Sequence, residues 1–242
     1  LQLKTGYNLL HLDSISLLQF KNYLQKNFIF NERVVGITGR NGIGKTNLLD
    51  AIYYLCFTKS YFSKTDIQNV HSGTQGFRLE GKFTLNDTPE PVTCILRETG
   101  KKEIALNGEV YDKFSDHIGK FPCIMIAPDD VQMITGGSEE RRQFLDTLLS
   151  QSDHNYLLQL IAYNKILLQR NSLLKSFADR RQVDENLLQV LNMQLAKPGG
   201  FIHEKRSTFL KDFIPLVQTF YRQISGEAYD ITISYESQLH NY

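Results

Sequence analysis

The chain has no long hydrophobic run. Its apolar stretches, such as the four residues from Cys123 to Ile126, fall far short of the roughly 20 residues that a bilayer-crossing helix requires. Cysteine is scarce as well, and the three present, Cys56, Cys94 and Cys123, are widely separated and odd in number. That spacing excludes a CxxC metal motif and reads as reduced core thiols of a cytoplasmic protein. Neither sign of charge dominates: 27 basic against 26 acidic residues leave +1, so a surface for nucleic acid would have to be a local patch. The start of the chain has no basic segment leading into an apolar core and a small-residue cleavage site, which excludes the pattern of a signal peptide. It also has no initiating Met, and residues 1–10 are expected to be a leader or an expression remnant. Internal repeats and low-complexity tracts are absent. What remains is 242 residues, 41% of them hydrophobic, enough for one large domain or two small ones with a buried core.

Along the chain the hydrophobic period changes several times. Residues 11–30 alternate in two runs broken at Lys21-Asn22, which predicts two antiparallel strands. "RVVGITG" (33–39) is a short β-branched run with the form of a buried central strand, and from Lys45 the apolar residues recur at helical spacing. Runs at 77–85, 91–98 and 102–111, with Asn107-Gly108 as a hairpin turn, predict an antiparallel subsheet. A further short strand is expected at 121–127. Helices are then expected at 139–149 with Ser138 as N-cap, at 155–177, at 184–195 and at 201–224, the last two separated by the stop "KPGG" (197–200). The run at 229–235 reads as a strand with no partner nearby. The expected organisation is an α/β lobe at 11–135, a mainly helical lobe at 136–228, and the start of a return into the first lobe at 229–242.

"GRNGIGKT" (39–46) carries the chemistry. Gly39, Gly44, Lys45 and Thr46 satisfy the phosphate-loop pattern, with Gly42 as an additional glycine inside it. Glycines at these positions let successive backbone N–H groups turn inward toward phosphate oxygens. Lys45 supplies a positive charge for the β and γ phosphates, and the Thr46 hydroxyl can complete a Mg²⁺ shell. The stretch follows a predicted strand and opens a predicted helix, whose positive end adds to the same site. The expected nucleotide contacts are Gly39, Arg40, Asn41, Gly42, Ile43, Gly44, Lys45, Thr46 and Asn47. A bare turn joining strand to helix would need neither the lysine nor the hydroxyl at those offsets.

Hydrolysis needs more than a phosphate grip, namely a carboxylate for the metal and a group that orients water. "CIMIAPDD" (123–130) offers Asp129 and Asp130, but Pro128 tends to end the strand before them. "TGGSEERR" (135–142) superficially resembles the serine-glycine signature of ABC-type ATPases, yet its serine follows the glycines instead of preceding them. Arg141 and Arg142 could contact phosphate, DNA or an internal carboxylate. The six histidines, His11, His71, His117, His154, His203 and His240, show no metal-ligand spacing and are expected mostly at the surface or in caps. No nucleophile-elbow G-x-S-x-G is present.

Three blocks together resemble the RecF recombination-mediator proteins of bacteria, which belong to the SMC-like branch of ABC-type ATPases. They are "LLQFKNY" (17–23), "GITGRNGIGKTNLLDAIYYLCFTKSYF" (36–62) and "PDDVQMITGGSEERRQFLD" (128–146), the last followed by "LLQRNSLLK" (167–175). Ser138 stands where the family usually has proline. The resemblance implies a P-loop ATPase lobe with an antiparallel subsheet plus a mainly helical second lobe, truncated at the C-terminus, because the family's signature and metal strand have no counterpart before Tyr242. It implies ATP and Mg²⁺ as cofactors, Lys21 and Asn22 beside the nucleotide, and Asp130, or its neighbour Asp129, near the metal. It further implies binding of gapped or junction DNA, an ATP-dependent homodimer, recombination-mediator partner proteins, and a slow DNA-stimulated ATPase in the full-length protein. The present chain is expected to bind ATP and hardly hydrolyse it. Two rival readings are a complete small P-loop phosphotransferase using Asp129 or Asp130, and a non-hydrolysing DNA or protein interaction module.

Overall fold

The computed structural model describes residues 9–180, 184–226, 229–237 and 239. Residues 1–8 of the expected leader, and His240, lie outside them. The chain divides after Pro128 into two compact units.

The first unit is built on a six-stranded sheet of order β2-β1-β3-β4-β5-β6, antiparallel throughout. Its strands are β1 Leu10–Phe20, β2 Tyr23–Ile29, β3 Phe77–Leu85, β4 Thr88–Leu96, β5 Lys102–Leu106 and β6 Glu109–Val110. Alternation with period 2 puts one face of each strand in the core. The cross-strand row Leu17, Leu79, Cys94, Ile104 is completely buried. Against that face packs α1, Lys45–Phe57, through Leu48, Ala51, Tyr54 and Leu55. Gly81 makes this close approach possible, since a Cβ there would stand 2.7 Å from Leu55 Cδ1. Asn107 and Gly108 both have positive φ, as their hairpin turn requires.

Two predicted strands do not form ladders. Residues 33–38 and 121–127 belong to no strand, and Val34, Ile124 and Ile126 are exposed at 86%, 70% and 83%. Ile37, Cys123 and Met125 nonetheless pack on the core, so both segments are seated on one side only. A strand exists only when a neighbour accepts its hydrogen bonds, and no described segment pairs with either one.

All three cysteines are free thiols. A hydrogen bond from Cys56 to Cys123 raises the Cys56 thiol, aided by burial, and lowers that of Cys123. The histidines are expected mostly at the surface or in caps, and His117 is one that is fully buried. Its Nε2 lies 2.6 Å from the Leu55 carbonyl near the end of α1, its ring packs on Tyr111 and Phe121, and Lys120 adds a nearby positive charge. Burial lowers its pKa, so the unfolded chain takes up the proton first as pH falls. Stability should therefore be complete above about pH 6.5 and should decline below it as the folded-state pKa is approached. Comparing urea unfolding at pH 7 and pH 5 should show this loss in the parent and a flatter profile in His117→Gln. Equal slopes would assign the pH dependence elsewhere.

The second unit is helical: a single turn α2 Gln132–Thr135, then α3 Ser138–Ser152, α4 His154–Arg180 and α5 Glu185–Ser225. Helix α3 has Gly137, not Ser138, at its N-cap, and the Ser138 hydroxyl instead accepts a hydrogen bond from Arg142. The expected stop at 197–200 is absent, because α5 runs through Pro198. Proline and glycine disfavour a helix interior, but the flanking residues are held by packing. Phe201 and Ile202 join Leu149, Tyr156, Leu160 and Tyr163 in one cluster. The cluster is bordered by a half-buried polar node in which Asp146 accepts from Tyr156 (2.5 Å) and from Arg206 (2.6 Å). Residues 229–235 form no strand. They are attached to α5 by Gln218 donating to the Ile231 carbonyl, by the Arg222–Asp230 pair and by Tyr235 stacked on His203. Among the described residues no helix is long and apolar enough to cross a membrane.

Candidate functional site

The glycine loop lies where the chain enters α1. Gly39, Gly42 and Gly44 take φ of +145°, +80° and +109°, conformations that side chains rarely tolerate. Gly44 is the N-cap residue of α1, no side chain caps the helix, and no acidic residue stands in its first turn. The leading N–H groups of a helix need an acceptor, and a helix start without its own capping side chain or carboxylate suits an external anion. Lys45 folds back over the loop and donates to the carbonyls of Gly39 and Arg40, both at 2.9 Å. Its ammonium is thereby held over the loop that the glycines shape. Asn41, Gly42, Ile43 and Thr46 are exposed, while Lys45 and Asn47 are half-buried.

The turn between β1 and β2 grips this loop. Phe20 pairs with Tyr23, which leaves Lys21 and Asn22 as the two turn residues. Asn22 Nδ2 donates to the Ile43 carbonyl at 2.9 Å and Asn47 Nδ2 donates to Asn22 Oδ1 at 2.7 Å. The Tyr23 hydroxyl donates to the Gly44 carbonyl at 2.9 Å, and burial raises its pKa, which keeps it a donor. That same carbonyl accepts the N–H of Leu48. The loop, the helix start and the turn are thus one hydrogen-bonded body.

Lys21 behaves differently from its neighbour. Its ammonium turns away to Asp50 Oδ2, 2.5 Å distant, with 13% exposure for the lysine side chain and none for the aspartate. Asp50 also accepts from the Ser60 hydroxyl and from the Tyr61 N–H, both at 2.7 Å. Sitting one turn beyond Thr46 on α1, Asp50 ties together the helix, the β1–β2 turn and residues 60–62. Sequence reasoning brought Lys21 and Asn22 to the loop but missed Tyr23, Asp50 and Ser60. One signal was available: Asp50 interrupts the apolar run "LLDAIYYL", where an acid must be either a surface residue or a buried ion-pair partner.

The remaining candidates lie in the second unit. Asp129 and Asp130 open the second unit, on a 3-10 turn spanning Pro128–Val131. Arg141 donates to the Met133 and Gly136 carbonyls and so closes the end of α2, while Arg142 bonds to Ser138. Among the described residues no group of three or more His, Cys, Asp or Glu side chains is placed to hold a metal ion.

Comparison with known proteins gives this geometry its context. The sequence matches the AAA domain family over residues 14–212. It is 43% identical, over 95% of its own length, to the DNA replication and repair protein RecF of Flavobacterium johnsoniae, of which it covers 64%. A solved structure of the recombination mediator protein RecF with ATP, in the RecFOR pathway, superposes with a TM-score of 0.84 at 29% identity, covering 93% of this chain and 60% of that one. An Smc head domain from Pyrococcus furiosus shares the fold at a TM-score of 0.51 and 17% identity. The chain spans less than two thirds of the length of the RecF relatives it matches. An α/β unit carrying an antiparallel sheet and a glycine loop at a helix start, followed by a helical unit, is the ATPase fold that these proteins share, and the chain belongs to the AAA domain family, with RecF proteins among its similar relatives.

Proposed function

We propose that this chain binds ATP with Mg²⁺ at residues 39–47 and contributes that site to a cytoplasmic DNA replication and repair protein. The observation that carries the reading is the start of α1, which lacks any side-chain cap and has Lys45 held over the glycine loop. The RecF–ATP neighbour supports the choice of nucleotide, and the RecF relatives support DNA replication and repair as the setting. Lys45 takes the triphosphate charge, the backbone of 42–46 donates to its oxygens, and Asn22, Tyr23 and Asn47 hold the loop in register. The Thr46 hydroxyl lies on the first turn of α1, where it would hold Mg²⁺. Bound Mg²⁺ would neutralise developing phosphate charge. In the whole protein, ATP binding would drive formation of a homodimer that clamps gapped or junction DNA and, with recombination-mediator partners, promotes recombinase loading. The chain by itself should bind ATP and hydrolyse it very slowly.

Calorimetric titration with ATP and Mg²⁺ tests this. A charge-assisted contact contributes about 1.5–3 kcal/mol, so Lys45→Ala should weaken ATP by roughly 10- to 150-fold. Equal affinity in parent and variant would mean that the loop does not hold the triphosphate.

A further inference from the structure

We propose that Phe62 is the base-stacking residue of this nucleotide site, displayed beside the phosphate loop by the Asp50 node. The inference rests on the ATP-binding reading above and adds to it the part of the site that meets the base. The glycine loop, Lys45 and Thr46 deal with phosphates and metal alone, so any affinity for the base has to come from a different surface.

Residues 60–63 are rigidly set relative to α1. The Ser60 hydroxyl donates to Asp50 and accepts the N–H groups of Phe62 at 3.1 Å and Ser63 at 2.9 Å. The Tyr61 N–H donates to the other Asp50 oxygen, and the Tyr61 ring packs edge-on against Tyr53, with centroids 5.1 Å apart. Tyr61 is thereby turned inward and Phe62 outward, leaving Phe62 42% exposed. Its ring is not an isolated surface side chain, because the Lys21 ammonium lies 5.6 Å from the ring centroid. Lys21 is followed directly by Asn22, which is bonded to Ile43 of the loop and to Asn47 on the first turn of α1. The turn residues Lys21 and Asn22 therefore link the Phe62 ring, through the Lys21 ammonium, to the glycine loop, through Asn22.

That arrangement suits a nucleoside triphosphate whose phosphates occupy the loop and whose base lies on the ring. An aromatic face binds a base by stacking without reading its hydrogen-bonding edge. The backbone bonds to Ser60 and Asp50 fix the position of residue 62 before any ligand arrives, which lowers the ordering cost of binding.

The test compares ATP with inorganic tripolyphosphate, each with Mg²⁺, by calorimetry on the 242-residue chain. Circular dichroism would first confirm that each variant is folded. Phe62→Ala should weaken ATP by roughly 5- to 150-fold, the range found for removing one base-aromatic stack, and should leave tripolyphosphate affinity unchanged. Phe62→Tyr, which retains the aromatic face, should restore ATP affinity. Lys45→Ala should weaken both ligands, and if it weakened neither, the phosphate-loop reading itself would fail. Unchanged ATP affinity in Phe62→Ala would overturn the stacking role. An equal loss for ATP and tripolyphosphate would overturn it as well, since the ring would then be acting on the loop and not on the base.

Discussion

Asp50→Ala is expected to lower the unfolding free energy of the first unit by about 3–5 kcal/mol, the usual result of removing one partner from a buried ion pair. The carboxylate has no solvent exposure and the Lys21 side chain keeps only 13%. Removing the acid leaves the ammonium in low dielectric beside Phe20 and Phe62. It also takes the acceptor from the Ser60 hydroxyl and the Tyr61 N–H. Replacing both charges with apolar residues would avoid the orphaned ammonium but would still strand the two donors, so Lys21→Met/Asp50→Leu should recover only part of the loss. The measurement is urea-dependent hydrogen exchange of the α1 amides, which reports this unit separately from the helical one. A loss below about 1 kcal/mol in Asp50→Ala would show that Lys21 simply swings into water, as surface pairs do.

Gly44→Ala should strongly weaken ATP binding while leaving the sheet intact. At φ +109° an alanine is strained from the outset, and its Cβ would stand 2.5 Å and 2.7 Å from the two polar atoms of the Asn22 amide and 2.8 Å from the Tyr23 hydroxyl. Those side chains cannot withdraw without cost, because they carry the bonds to Ile43, Asn47 and Gly44 that hold the loop. Backbone strain of this kind costs about 1–3 kcal/mol, and the lost loop contacts add to it, so the expected decrease in affinity is roughly 100-fold or more. Gly36→Ala is the control: its φ is not positive and nothing lies within 4 Å of the added carbon, so ATP affinity should hold. If Gly44→Ala bound ATP like the parent, the clamp from the β1–β2 turn would have no bearing on the site.

What could be read in advance depended on how local the cause was. The hairpins around Lys21-Asn22 and Asn107-Gly108 and the helix from Lys45 are set by residues within a few positions of one another, and they form as expected. Segments 33–39 and 121–127 have strand composition, yet whether such a segment is a strand depends on a neighbour's hydrogen bonds, which no local pattern supplies. The "KPGG" stop failed for the converse reason. Local propensity at Pro198 opposes a helix, and packing of Phe201 and Ile202 against α4 outweighs it. The burial of His117 was not legible in advance, because burial of a lone histidine depends on what surrounds it, here the Leu55 carbonyl, Tyr111 and Phe121.

The sequence by itself determined the form of the loop at 39–46, since its glycines act through backbone conformation over eight consecutive residues. It also determined the family, through three blocks spread along most of the chain. Only the tertiary structure decided what supports the loop. Tyr23, Asp50 and Ser60 come from two sides of the motif and meet through hydrogen bonds and a charge pair with Lys21. Contacts between residues that far apart leave no periodicity in the chain, because distance along the sequence does not encode distance in space.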